Sequence, residues 1–186
     1  NQVKKIIKSK SMVGEETGLN QYVEGHGIEV KETDLGEYII QQAGEHPSHI
    51  IAPATHKSKD DVSELFAEKH KRPRLDDAEK LTHEAREILR PHFLDADMGI
   101  TGANFMIAET GSTVIVTNEG NGRMTTTMPR VHVAISSIEK CLPTLDDFAL
   151  MMRLLPRSAT GQVISNYVSM TTGPKRAGDK DGPEKF

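Results

Sequence analysis

In the first third of the chain, apolar runs of strand length alternate with stretches of helical spacing, and this rhythm constrains the fold more than any other feature. Residues 3–9 (VKKIIKS), 28–33 (IEVKET) and 49–52 (HIIA) each hold a compact apolar group bounded by turn residues, which predicts three strands. Between the first two, SMVGEE at 11–16 predicts a turn into a helix. Glu15 and Glu16 suit the positive end of its dipole, and Gly25 and Gly27 predict its stop. Between the second and third, Asp34 predicts the N-cap of a short helix reaching Gln41. Strands joined through helices predict βαβ units, and so an α/β fold with a mostly parallel, twisted sheet flanked by helices.

The same reading continues down the chain. SKDD at 58–61 predicts an N-cap for a helix carrying Val62, Leu65 and Phe66. Residues 76–93 predict a long helix with Ala78, Leu81, Ala85, Ile88 and Leu89 on one stripe and Pro91 near its end. VHVAI at 131–135 predicts a strand. Residues 144–155 predict a last helix, with Phe148, Leu150, Met151, Leu154 and Leu155 as its apolar side and Pro156 as its stop. Residues 162–170 predict a final strand. From 172 to 186 glycine, proline and charge dominate. Such a stretch lacks the apolar surface that offsets ordering entropy, which predicts one domain over 1–171 and a flexible tail or linker over 172–186.

Residues 96–122 hold five of the chain's 15 glycines around the run TVIVT at 113–117. FMIA at 105–108 and that run predict a β-hairpin turning at Glu109, Thr110 and Gly111. A second turn, NEGNGR at 118–123, closes the unit, so Glu109 and Glu119 stand at its opposite ends. In open α/β sheets ligands bind beyond the carboxyl ends of the strands. Two strand-to-helix turns supply polar groups there. Lys10 and Ser11, with Lys8 nearby, precede a helix start suited to an anion. His56 and Lys57 precede another and are suited to a carboxylate or phosphate.

Composition excludes several classes of function. The formal net charge is −4, so nothing marks nucleic acid as a partner. The sequence contains no apolar run approaching the ~18 residues of a membrane span, and no signal peptide is read. One cysteine, Cys141, rules out an internal disulfide and suits a reducing, cytoplasmic setting. The eight histidines are dispersed without metal-site spacing. No glycine-rich dinucleotide fingerprint follows a strand.

The phrase GITGANFMIAETGSTVIVTNEGNGRMTTTMPRVHVAISSIEK at 99–140 resembles the LUD (lactate utilization) domain family. So do KSKSMV at 8–13, ETDLGEYI at 32–39 and SHIIAPA at 48–54, so the resemblance covers nearly the whole chain. Gly14 departs from the family pattern, which suggests threonine there. The resemblance implies a fold similar to the sugar-isomerase and CoA-transferase group. It also implies a part in a bacterial iron–sulfur protein of a complex that oxidises L-lactate to pyruvate, with the other subunits as partners. Its 4Fe–4S clusters would lie in a ferredoxin-like segment beyond this chain, because one cysteine cannot replace the about four that a cluster needs. The chain alone would not be catalytic. The alternative is a small-anion or acyl-transfer domain. There Glu109 would be nucleophile or base, the backbone N–H groups of Gly99, Thr101 and Gly102 would bind oxygen, and Thr110, Gly111 and Glu119 would line the ligand.

Overall fold

Ile6 and Ile7 are neighbours in sequence and are buried on opposite faces of one strand, β1 (Lys5–Lys8). Side chains alternate across a strand, so this pair places β1 between two helical layers. The computed structural model describes residues 2–48, 52–117 and 119–186. In it the chain is an α/β fold with two four-stranded sheets.

The first sheet is wholly parallel. β1 lies between β2 (Glu29–Glu32) and β3 (Met98–Gly102), and β3 pairs in turn with β6 (Val131–Ile135). Facing Ile6, Val30 and Ile100 is a two-part helix, α1 (Met12–Glu16) and α2 (Leu19–Glu24), which packs Leu19 and Val23 inward. The sequence predicts a single helix here. Gly18 divides it by taking the left-handed conformation, φ 64°. Facing Ile7 are α3 (Leu35–Ala43), α4 (Lys59–His70) and α5 (Ala78–Asp95). They join Tyr38, Ile39, Phe66, Leu81, Ala85, Leu89 and Phe93 in the larger core. Asp34 caps α3, and Ser58 with Asp61 closes a capping box on α4. The strand predicted over 49–52 falls on residues 49–51, which lie outside the described residues.

The second sheet has the order β7-β4-β5-β8. β4 (Phe105–Ile107) and β5 (Ser112–Val116) form the predicted antiparallel hairpin, with Gly111 at φ 67° in its turn. β7 (Cys141–Leu142) runs parallel to β4, and β8 (Val168–Thr171) runs antiparallel to β5. α7 (Leu145–Thr160) covers Phe105, Ile107 and Val114 with Phe148, Met151, Met152 and Leu155. Pro156 does not end this helix. A proline removes one N–H and leaves the following residues free to stay helical, so α7 runs on to Thr160 and stops at Gly161, φ 73°. The last strand is shorter than predicted, because residues 162–167 precede the β5 pairing. α6 (Asn121–Thr127) joins the two sheets.

Only Ala103 and Asn104 separate β3 from β4. The Asn104 N–H donates to the Val114 carbonyl at 2.8 Å, and the Val116 N–H donates to Asn104 Oδ1 at 2.8 Å. The tail, read from composition as a linker, returns to the edge of β6. The His132 N–H donates to the Lys185 carbonyl at 2.9 Å, the Glu184 N–H donates to the Arg130 carbonyl at 2.8 Å, and Phe186 stacks on His132 with ring centroids 5.1 Å apart. These are main-chain bonds and one ring contact, which composition does not register. No described helix is long and apolar enough to cross a membrane.

Candidate functional site

Strand alternation puts Lys8 on the same face as Ile6, near the carboxyl end of the parallel sheet and under α1 and α2. Its side chain is fully buried. The ammonium is 2.7 Å from Glu32 Oε1 and 2.8 Å from Glu15 Oε1, and the Asn20 amide donates to the same Glu32 oxygen at 2.7 Å. Lys8 and Glu32 are register partners of β1 and β2, so the sheet itself sets the pair. Gly14 makes room for it: a Cβ there would sit 3.1 Å from Lys8 Cε, so the departure from threonine coincides with the buried stem. Burial alone would lower the Lys8 pKa, but Glu32 and Glu15 outweigh it and hold the ammonium above the ordinary lysine range. Burial pushes Glu32 upward against the pull of Lys8 and Asn20.

Glu37, buried in the first turn of α3, adds a further carboxyl. Burial, followed by the charges of Glu32 and Glu15, pushes it up to about 7. At neutral pH it both gives and takes a proton readily. Glu32 Oε2 and Asn20 Oδ1 are buried acceptors that no described donor reaches, so the cluster has hydrogen-bonding capacity to offer a hydroxyl or amine.

Lys10, Ser11 and Glu119 meet at the same rim. Lys10 Nζ is 3.9 Å from Asp34 Oδ1. Burial and Asp34 push the Glu119 carboxyl up, opposed by the Leu35 N–H and Lys10. Ser11 is buried and serves as the N-cap of α1, accepting from the Gly14 N–H at 3.1 Å. The rim thus gathers two lysines, a serine and five carboxyls from three segments of chain, 8–15, 32–37 and Glu119.

A model of the LUD domain family matches residues 1–186. The chain belongs to the LUD domain family. It is similar to proteins named Lactate utilization protein B. It is 48% identical over 184 residues to that of Bacillus licheniformis, covering 98% of this chain and 39% of that protein. The Bacillus subtilis protein is 49% identical over 184 residues, with 98% and 38% covered. The Shouchella clausii protein is 47% identical over 186 residues, with 100% and 39% covered. The chain therefore spans about two fifths of the length of these relatives. No solved structure matches.

Of the LUD domain's remaining predicted residues, Gly102 touches the first turn, and the others make their contacts away from the cluster. Gly99 lies where β3 has strands on both sides, whereas Thr101 and Gly102 pair with β6 alone. Thr101 Oγ1 is 2.9 Å from His132 Nε2, both fully buried. Gly102 packs on the first turn, where a Cβ would come 3.0 Å from the Lys10 carbonyl. Glu109 stands at the far end of the hairpin and accepts the Leu145 N–H at 2.9 Å, adding to the capping box that Thr144 and Asp147 form on α7. Thr110 Oγ1 is 2.7 Å from Ser112 Oγ beside Gly111. His56 and Lys57 both pair with Glu45, and His56 also bonds Ser48. Sequence reasoning missed Glu32, Glu37 and Asn20 as site residues. The signal available was a lysine and a glutamate at equivalent ends of two strands predicted to pair. No group of three or more His, Cys, Asp or Glu among the described residues is placed to hold a metal ion. Cys141 is exposed and is the only cysteine, so this chain does not fit an iron–sulfur cluster, which takes about four thiolates.

Proposed function

We propose that this chain is the LUD portion of a longer protein of the Lactate utilization protein B kind, a cytoplasmic component of a complex that oxidises L-lactate to pyruvate with electron transfer. The observation that carries this reading is identity of 48–49% to those proteins over 98% of the chain. The 4Fe–4S clusters of such a complex would be held outside residues 1–186, and the other subunits would be its partners. In this reading the LUD portion scaffolds the complex and offers its charged rim to a small polar ligand. Lys8 supplies fixed positive charge, Glu37 a proton, and Glu32 Oε2 a free acceptor.

Deleting the full-length gene in the source organism tests the reading. Growth on L-lactate as sole carbon source is expected to stop while growth on glucose continues, and the intact gene is expected to restore it. Unchanged growth on L-lactate would overturn the proposal. The same strain separates the alternative of acyl transfer or isomerisation through Glu109. Glu109→Gln restores growth if Glu109 is a cap, and fails to restore it at normal protein level if Glu109 is a nucleophile or base.

A further inference from the structure

α7 is apolar around more of its circumference than the second sheet covers. At 100° per residue, Leu150, Leu154, Met151, Leu155, Phe148 and Met152 span about 200° of arc, whereas a stripe of ~100° suffices for a helix packed on one side. The sheet takes Phe148, Met151, Met152 and Leu155. Leu150 and Leu154, one turn apart, are each more than half exposed. The connection that follows α7 is apolar and open as well: Val163, Ile164 and Tyr167 are 74%, 69% and 69% exposed. It leads into β8, an edge strand of its sheet, where Met170 is also exposed. Exposed apolar residues that lead along the chain into an edge strand mark an interface, because alone they are an aggregation hazard.

The occupant follows from length. In the relatives, about three fifths of the polypeptide lies outside the region that aligns with this chain. We propose that the outer face of α7, residues 162–167 and the free edge of β8 form the docking surface for that remaining polypeptide, supplied in cis by the longer protein. The proposal rests on the reading that this chain is part of a longer protein, and it names the face that joins the parts. Apolar side chains dock against α7, and an extended segment adds to β8 through main-chain hydrogen bonds.

Hydrogen exchange on the full-length protein, with mass determination by light scattering, tests it. The expected result is that amides of residues 162–167, which precede the β5 pairing, exchange at least tenfold more slowly than unstructured amides in a monomer, and that the double substitution Leu154→Glu with Ile164→Lys returns them to the unstructured rate. Rapid exchange in the unaltered full-length protein would overturn the proposal. So would protection that vanishes on dilution to monomer, which would assign the face to a second copy. Exchange slow in both proteins would overturn it as well. None of these readouts involves lactate, so a failed growth test and a failed docking test remain distinguishable.

Discussion

A lysine with no exposure is stable only while its carboxylates stay with it. Removing one partner of a buried pair leaves the other charge uncompensated, at a cost of about 3–5 kcal/mol, whereas replacing both by apolar groups is far milder. Lys8→Met is therefore expected to lower unfolding free energy in urea by about 3–5 kcal/mol, and Lys8→Met with Glu32→Met to recover most of that loss. Glu37 titrates in the opposite sense from most carboxyls. Its pKa in the fold is about 7 and ordinarily about 4.5, so the folded state holds the proton more tightly. The stability this provides is complete below pH 4.5 and disappears as pH rises through 7; it is worth about 3 kcal/mol at most. Glu37→Gln is expected to match the parent near pH 4 and to exceed it in melting temperature at pH 8. The sequence offered Lys10, Ser11 and Glu119 as candidate ligand residues, because turn chemistry is local. It did not disclose the partnership of Lys8, Glu15, Asn20 and Glu32, because charged residues on short strands read as solvated until the strand register is known.

At the scale of elements, the parallel strands β1 and β2, the capped helices and the β4–β5 hairpin were legible, since each announces itself by spacing and caps. β3 was not. Two of its five residues are glycine, which in sequence reads as a turn. The reason lies in packing rather than dihedral freedom: a Cβ on Gly99 would fall 1.9 Å from the Thr125 carbonyl oxygen, so α6 rests directly on the strand. Gly99→Ala is expected to displace α6 and to cost at least about 3 kcal/mol, read by denaturant midpoint, because the obstacle is backbone and cannot swing away. By contrast Glu109→Ala removes one hydrogen bond to the first turn of α7, leaves the Thr144–Asp147 capping box, and is expected to cost about 1 kcal/mol with the fold intact.

For the whole molecule, the tail is the part that composition described least well. Its last residues cover His132, whose ring is buried and held down to about 4 by that burial. A neutral buried histidine contributes stability that is present above pH 6.5 and is lost as pH falls through 4. Ending the chain at Thr171 is expected to release the ring toward its ordinary pKa near 6.5, seen by NMR titration, and to lower the melting temperature by several degrees. A tail without an apolar cluster still finds a place because a parallel sheet leaves main-chain groups unpaired along its edge strand.

Two residues, Ala103 and Asn104, make the shortest of the passages between the two sheets, and Asn104 is pinned to β5 on both sides. A joint that short and that fastened transmits rotation instead of absorbing it. A tilt of the hairpin under α7 would turn the end of β3 with it and press Gly102 against the Lys10 carbonyl it packs on, with no messenger other than the stiffness of the chain.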